Sequence, residues 1–280
     1  MIEKKFTKET DRVVLEQINS KILRHTIQFL NRVNGKLKPF GSGVFAKIYD
    51  DYFIITASHV ASFFEEHPNE DLRIRVNEKL FINVLGEIKY TDIEKSEGTD
   101  LAYIKLDKQM IIPLSKAYIP VTIEKFRNHN NLLYAMNYCV LGFPSVNISK
   151  DGEPFDTGAS FYLTGPTNDT PYQFYKLKKR DYIILDMKGK GTNIKTDKIG
   201  KISTKFHGIS GCGLWLLLIY DNPITGKTEV DYRLVGIMTD FRNGRHFCLI
   251  ANKIWLIIEA FKIIEKFKFK ENIVTRELIS

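Results

Sequence analysis

The chain has 280 residues, of which 44% are hydrophobic and 12% aromatic, and it carries a formal net charge of +8. This apolar content is enough for one large core or two small ones, so a disordered chain is excluded as the default. Lysine and arginine are spread among acidic residues along the whole sequence and no nucleic-acid-binding motif accompanies them, so we expect no nucleic-acid partner.

The cysteines and the apolar runs limit the class of protein further. Cys139, Cys212 and Cys248 are too few and too scattered for a disulfide framework or a metal site built on paired cysteines. The first residues are charged, and the longest apolar runs, such as LWLLLIY at 214–220, fall far short of the ~20 residues that cross a bilayer. These features predict a soluble protein of a reducing compartment, the cytoplasm, without membrane contact, metal or cofactor.

The first predicted element is a helix. Residues 7–24 place apolar side chains at helical spacing behind Thr10 and Asp11, which are suitable capping residues. We assign residues 1–35 to an N-terminal extension that holds this helix and a lead-in strand. The helix is predicted to lie outside the main fold and to serve in docking, with a regulatory protein as its partner.

The pattern then changes to short runs of β-branched and aromatic residues separated by turns. Residues 36–115 contain GVFAKIY, YFIITAS, RIRVNEKLFINVLGEI and LAYIKL, and Asn34-Gly35 before them is a favourable hairpin turn. These runs predict a first antiparallel β-domain. Residues 116–132, with Pro120 and the polar RNHNN, predict a connecting segment.

Strand-like runs resume over residues 133–251, among them YCVLGF, DYIILDM and LWLLLIY, and they predict a second β-domain. Over residues 252–280 the spacing of apolar residues returns to that of an amphipathic helix packed on the body of the protein. The expected fold class is therefore mostly β, with two β-domains in series and a helix at each end.

Three phrases hold residue types that suit nucleophilic catalysis, in which a nucleophile, a base and an orienting acid meet in space. FIITASHV at 53–60 places His59 at a strand end, GTDLAYIKL at 98–106 places Asp100 before a strand, and GISGCG at 208–213 places Ser210 between glycines. Each has a purely structural alternative: a hydrogen-bonded histidine, an aspartate in a turn, and a turn that accepts only small residues.

Together and in this order, the phrases resemble those of the trypsin- and chymotrypsin-like serine proteases. The histidine phrase matches GSGVFAKIYDDYFIITASHV at 41–60, the aspartate phrase matches DLAYIKL at 100–106, and the serine phrase matches at Gly208, Ser210 and Gly211. The resemblance covers roughly residues 36–265. It implies two six-stranded antiparallel β-barrels with the active site in the cleft between them.

The resemblance also implies roles for these residues. Ser210 attacks a peptide carbonyl, His59 accepts and later returns the proton, and Asp100 orients His59, while the N–H groups of Gly208 and Ser210 form the oxyanion hole. The implied function is a serine endopeptidase that cleaves specific protein substrates. The alternative is a protease-like binding or scaffold module that has lost turnover. A Lys-, Ile- and Asn-rich composition fits a bacterium with an AT-rich genome, and we expect a bacterial protease of stress or defence.

The sequence departs from the family just before the nucleophile. Where secreted members carry an acid, this chain has Ile209, which cannot pair with a newly cut N-terminus. Activation by that cleavage is therefore not expected, and the site is either preformed or switched by another contact. Cys212 behaves as a small buried hydrophobe in this interpretation and not as a nucleophile.

The substrate pocket is less well defined by the sequence. The matched motif places its floor at Thr204 and its wall at residues 239–241, which include Thr239 and Asp240. Thr204 is not a carboxylate, so the direct mark of cleavage after Lys or Arg is missing, and Asp240 either supplies that charge from the next strand or is a solvated strand-end acid. His207 either contacts substrate or is an exposed loop residue.

Overall fold

A computed structural model describes ten segments of the chain: residues 8–33, 36–66, 72–77, 80–96, 98–128, 137–143, 159–187, 190–193, 198–201 and 208–269. In these segments the helices are α1 Lys8–Lys21, α2 Ser58–Glu66, α3 Lys108–Ala117, α4 Asp169–Phe174 and α5 Ile254–Ile263. Short 3-10 helices span Leu23–His25 and Ile123–Lys125. None of these described helices is long and apolar enough to cross a membrane.

The first sheet is built from strands of the N-terminal half. Its members are β1 Thr26–Val33, β2 Lys36–Ile48, β3 Asp51–Thr56, β4 Arg73–Arg75, β5 Phe81–Asn83, β6 Gly86–Tyr90, β7 Ala102–Leu106 and β8 Val121–Thr122. Their order is β5-β4-β1-β2-β3-β7-β6, with β8 pairing parallel to β2 and all other pairs antiparallel. This described sheet has eight strands, two more than the six of the expected barrel, because the short β5 pairs with β4 and the short β8 pairs with β2.

The second sheet is antiparallel throughout its described strands. Its members are β9 Asn137–Gly142, β10 Ser160–Thr164, β11 Tyr182–Asp186, β14 Gly213–Asp221, β15 Thr228–Arg242 and β16 Cys248–Lys253, in the order β10-β9-β14-β15-β16-β11. A separate hairpin pairs β12 Lys190–Asn193 with β13 Lys198–Lys201. The fold class predicted from the sequence is confirmed: the protein is mostly β, with two curled antiparallel sheets and helices near both ends.

Strand β3 shows how alternation in the sequence places residues on two cores. Successive side chains of a strand point to opposite faces. Phe53 and Ile55 belong to the core between the two sheets, whereas Ile54 belongs to a core inside the first sheet. Both faces of β3 are therefore buried, which explains its unbroken apolar run and its central position between β2 and β7.

The two sheets share one apolar core. A single buried cluster contains Phe53 of β3, Trp215 and Leu217 of β14 and Phe261 of α5. Trp215 and Phe261 are both fully buried. Residues from both halves form this core. The position of one sheet therefore fixes the position of the other, and residues at the edge of the core are held by both sheets.

Helix α1 is part of this same core. Val14, Ile18 and Ile22 are fully buried and lie in the cluster that joins the sheets. The side-chain amide of Gln17 donates to the carbonyl of Thr228 at 2.8 Å, and its oxygen accepts from the N–H of Val230 at 2.9 Å. The prediction that the helix lies outside the main fold is therefore wrong, because its apolar stripe joins the core between the sheets and Gln17 hydrogen-bonds to the start of β15.

The C-terminal helix packs on the body as predicted, but it ends at Ile263 within the predicted span of residues 252–280, and the described chain that follows it is not helical and returns to the first sheet. Glu265 accepts hydrogen bonds from the hydroxyl of Tyr103 at 2.7 Å and from Nζ of Lys105 at 2.8 Å. Phe267 lies 6.0 Å from Phe53 between ring centres. The residues after α5 therefore pack against β3 and β7 of the first sheet. The predicted Asn34-Gly35 turn lies outside the described residues, and the strands that flank it pair with Val33 opposite Lys36.

Candidate active site

His59 and Asp100 meet because of the register of β3 and β7. These strands are antiparallel with Thr56 opposite Ala102, so the residues just after β3 and just before β7 lie side by side. His59 Nδ1 is 2.7 Å from Asp100 Oδ2, and the backbone N–H of His59 donates to Asp100 Oδ1 at 3.0 Å. The structure thus brings two of the three residues that the sequence singled out into direct contact.

The pair places a histidine with an altered pKa at the protein surface. Partial burial lowers the pKa of His59, but the hydrogen bond and charge of Asp100, with a smaller contribution from the charge of Asp240, outweigh this effect and raise the pKa above its usual value of 6.5. The side chain of His59 is 42% exposed and that of Asp100 only 12%, so the imidazole is open to a substrate while its partner is shielded.

Ser210 lies in a tight turn, residues 208–213, which we call the serine turn. Gly208 and Gly211 have φ angles of 95° and 85°, a region that side chains with a Cβ rarely adopt. A Cβ on Gly211 would lie 2.1 Å from both the carbonyl oxygen of Ser42 and the hydroxyl of Thr56. Gly211 is therefore required by close approach as well as by its φ angle.

The serine turn is held within the second half by β15. The N–H of Gly211 donates to the carbonyl of Met238 at 2.7 Å, and the N–H of Met238 donates to the carbonyl of Cys212 at 2.8 Å. Ile209 is buried among the apolar residues of the second sheet. The isoleucine that replaces an acid here thus anchors the turn by apolar burial.

The turn is also held by β2 of the first sheet. The backbone N–H of Ser42 donates to the carbonyl of Ser210 at 2.8 Å, and the hydroxyl of Ser42 donates to the carbonyl of Gly208 at 2.6 Å. Next to it, a Cβ on Gly41 would lie 2.8 Å from Val60, the neighbour of His59, and 3.6 Å from the Ser210 carbonyl. The Gly-Ser-Gly stretch at 41–43 therefore brings the serine turn beside the His59 segment.

Among the described residues, the groups of the serine turn that would take part in acyl transfer have no hydrogen-bond partner. No described residue forms a hydrogen bond with the hydroxyl of Ser210. Within the described segments, the N–H groups of Gly208 and Ser210 likewise donate to no acceptor. Hydrogen bonds between a nucleophile and its base are often long in ligand-free proteins and tighten when substrate binds.

Ser42 and Asn252 are two further residues of the site that the sequence did not single out. Ser42 lies inside the matched histidine phrase, which was the available signal, but its bond to Gly208 spans 166 positions. Asn252 Oδ1 accepts from the backbone N–H of Asp100 at 3.1 Å across 152 positions. Nothing local in the sequence indicates the second contact.

The expected pocket residues divide into two groups. Thr239 is buried with its hydroxyl 3.4 Å from the carbonyl of Ile250, and Asp240 is partly exposed and pairs with Arg242 at 2.6 Å. Both lie on β15 directly after Met238, which bonds the serine turn. Thr204 and His207 lie outside the described residues.

The described residues give no support to a cysteine nucleophile or to a metal site. Cys139, Cys212 and Cys248 are all free and buried, and burial raises the pKa of the Cys212 thiol far above its usual range, which disfavours the thiolate. Among the described residues, no group of three or more His, Cys, Asp or Glu side chains is arranged to hold a metal ion.

Comparison with known proteins identifies the fold. No family model matches the sequence, and no curated protein matches it by sequence. Protease Anisep from Arthrobacter nicotinovorans superposes with a TM-score of 0.50 at 13% identity, over 86% of this chain and 94% of its own. Human heparin binding protein superposes with a TM-score of 0.52 at 11% identity, over 88% of this chain and 93% of its own. The chain therefore has the chymotrypsin-like fold.

Proposed function

We propose that the chain is a serine endopeptidase that cleaves specific protein substrates with Ser210 as nucleophile, His59 as general base and Asp100 as the acid that orients it. The observation that carries the proposal is the double contact of Asp100 with His59, at 2.7 Å to Nδ1 and 3.0 Å to the backbone N–H. A carboxylate that accepts the Nδ1 proton leaves Nε2 unprotonated, which is the tautomer a base needs.

In the proposed reaction, the Oγ of Ser210 forms a bond to the substrate carbonyl carbon while its proton passes to Nε2 of His59. The carbonyl oxygen becomes an oxyanion and is stabilised by the N–H groups of Gly208 and Ser210. The imidazolium of His59 returns the proton to the leaving amine, the peptide C–N bond breaks, and an acyl-enzyme remains. Water then attacks with His59 as base, which releases the acid product and restores Ser210.

The serine turn needs no new N-terminus in this proposal. Ser42 holds the carbonyls of Gly208 and Ser210 from one side, and the burial of Ile209 holds the turn from the other. These contacts supply the fixation that an ion pair to the residue before the nucleophile supplies elsewhere in the resembling family. We therefore propose that the serine turn is preformed and that the hydrogen bond between Ser210 and His59 forms when substrate binds.

The fold by itself does not select an enzyme, because a protein named for binding heparin shares it. What supports an enzyme is the chemistry of the site. A carboxylate-bound histidine with a raised pKa is open to solvent, and the nearby serine turn has a hydroxyl and N–H groups with no partner among the described residues. A module that only binds has no need for this combination.

A fluorophosphonate probe tests the proposal, since it reacts with a serine only when a base and an oxyanion hole activate it. We expect the full chain to be labelled at Ser210, as mapped by mass spectrometry of its peptides, and Ser210→Ala to abolish labelling. Ser20→Ala, which removes an exposed hydroxyl of α1, is the matched control and keeps full labelling. A wild-type chain that stays unlabelled from pH 6 to 9 would show a binding module instead.

A further inference from the structure

Asn252 stands at the end of β16 and reaches from the second sheet to the acid of the candidate site. Its side chain is fully buried, and its Oδ1 accepts the backbone N–H of Asp100 at 3.1 Å. Asp100 lies between β6 and β7 of the first sheet. This hydrogen bond is therefore a direct link between the two halves at the residue that holds His59.

The remainder of the Asn252 amide faces Tyr182. The two residues are paired across β11 and β16, and neither Asn252 Nδ2 nor the Tyr182 hydroxyl makes a hydrogen bond of ordinary geometry to a described residue, although both are buried. Burial raises the pKa of Tyr182, contact with Asn252 opposes the rise, and the charges of Asp181 and Asp100 add to it. A Cβ on Gly98 would lie 3.2 Å from the Tyr182 hydroxyl. Tyr182 thus borders both Asn252 and the loop that leads into Asp100.

Burying a side-chain amide costs about 1–3 kcal/mol for each group that is not well hydrogen-bonded. A leucine of similar volume at this position would avoid that cost and pack against apolar neighbours such as Ile184 and Ile250. An asparagine therefore needs a compensating role, and its bond to Asp100 supplies one.

We propose that Asn252, supported by Tyr182, is a positioning residue that fixes the backbone of Asp100 so that both carboxylate oxygens reach His59. Three contacts then define the acid: its N–H is held by Asn252, its Oδ1 by the backbone of His59, and its Oδ2 by Nδ1 of His59. Without the hydrogen bond to Asn252, the backbone of Asp100 rotates more freely, and the contact between its carboxylate and Nδ1 of His59 is broken part of the time. The catalytic consequence rests on the proposed function, whereas the effect on His59 does not.

Asn252→Leu removes the acceptor while it keeps the volume, and Asn252→Asp keeps an acceptor oxygen. NMR titration of His59 in the full chain, with its signal assigned by comparison with H59Q, measures the result directly. We expect the pKa of His59 to fall by roughly half a unit to one unit in Asn252→Leu, toward its usual value, and to stay at or above the wild-type value in Asn252→Asp. Turnover of a peptide substrate should fall ~10- to 100-fold in kcat with KM unchanged, because Asn252 does not touch substrate.

Ile250→Val is the matched control, since it shortens a buried side chain on the same strand, costs about 1 kcal/mol of stability and removes no polar group. It should leave the His59 pKa unchanged. An Asn252→Leu variant whose His59 pKa equals that of Ile250→Val would overturn the proposal. If Asn252→Leu does not fold, Tyr182→Phe replaces it under the same criterion, with a smaller fall expected.

The two proposals fail separately. A wild-type chain that is not labelled by the fluorophosphonate refutes the proposed enzyme, while the titration still reports whether Asn252 controls His59. A labelled chain whose His59 pKa ignores Asn252 refutes the positioning role and leaves the enzyme in place.

Discussion

His59 and Asp100 are brought together inside the first sheet, by the register of two neighbouring strands, and they are hydrogen-bonded to each other in the ligand-free chain. Ser210 belongs to the second half, and its turn is held from both halves by Ser42 and Met238 while its hydroxyl stays unbonded to the described residues. The acid and base pair is thus a local product of one sheet, whereas the nucleophile is placed by the packing of two. Changes within the pair should alter chemistry alone, and changes at the turn should couple chemistry to folding.

The largest expected effect comes from the acid. Asp100 accepts from two N–H groups of His59, and an asparagine offers one acceptor oxygen and one donor amide, so Asp100→Asn keeps one contact and selects the wrong imidazole tautomer. We expect kcat near neutral pH to fall on the order of 10⁴-fold with the folded structure intact, as measured by peptide hydrolysis and circular dichroism. Asp107→Asn, which changes an exposed acid before α3, is the control. An unchanged rate would show that a different acid orients His59.

The serine turn should respond next. Gly211→Ala places a Cβ where two oxygens lie 2.1 Å away and demands a φ of 85°. We expect a loss of ~3 kcal/mol or more in the free energy of unfolding and the loss of fluorophosphonate labelling, measured by urea denaturation and by probe. A stable, labelled Gly211→Ala variant would mean that the turn is not built as described.

Ser42→Ala is a finer test of the same coupling. It removes the hydroxyl that donates to the carbonyl of Gly208 at 2.6 Å, and it leaves the backbone bond to Ser210 in place. We expect a loss of about 1 kcal/mol of stability and a ~10-fold slower labelling rate, because the oxyanion donor at Gly208 is less well fixed. Thr26→Val, which removes another buried hydroxyl from the first sheet, should lose similar stability and label at the wild-type rate. Equal labelling in both variants would contradict the role of Ser42.

Contacts within one sheet could be predicted from the sequence better than contacts between the two sheets. The phrases around His59 and Asp100 each consist of a strand and its end, so local pattern and strand pairing were enough to place both residues. The bonds of Ser42 to Gly208 and of Asn252 to Asp100 join positions 166 and 152 residues apart, and a lone serine or asparagine carries no pattern that marks such a contact. These links appear only when the two sheets are packed together.

Helix α1 shows a different limit. The spacing of its apolar residues correctly predicted that one face is buried, but a helical period does not say which surface covers that face. The core between the sheets includes Val14, Ile18 and Ile22, and Gln17 hydrogen-bonds to the backbone at the start of β15. The predicted docking of a regulatory protein on this helix stays a prediction, and it is restricted to the outer face, where Val13 is exposed.

The smallest expected effect is that of the Asp240 charge on the pKa of His59. His59 acts as a base only when neutral, so kcat/KM should rise with pH through the raised pKa of His59, with its acid limb above 6.5. Asp240 adds a minor part of that rise, and its charge is already paired with Arg242. Asp240→Asn should therefore move the acid limb to lower pH by only a few tenths of a unit, and Asp50→Asn, an exposed acid in the turn after β2, should not move it. A shift in Asp240→Asn as large as that in Asn252→Leu would mean that long-range charge, and not the held geometry of Asp100, sets the basicity of His59.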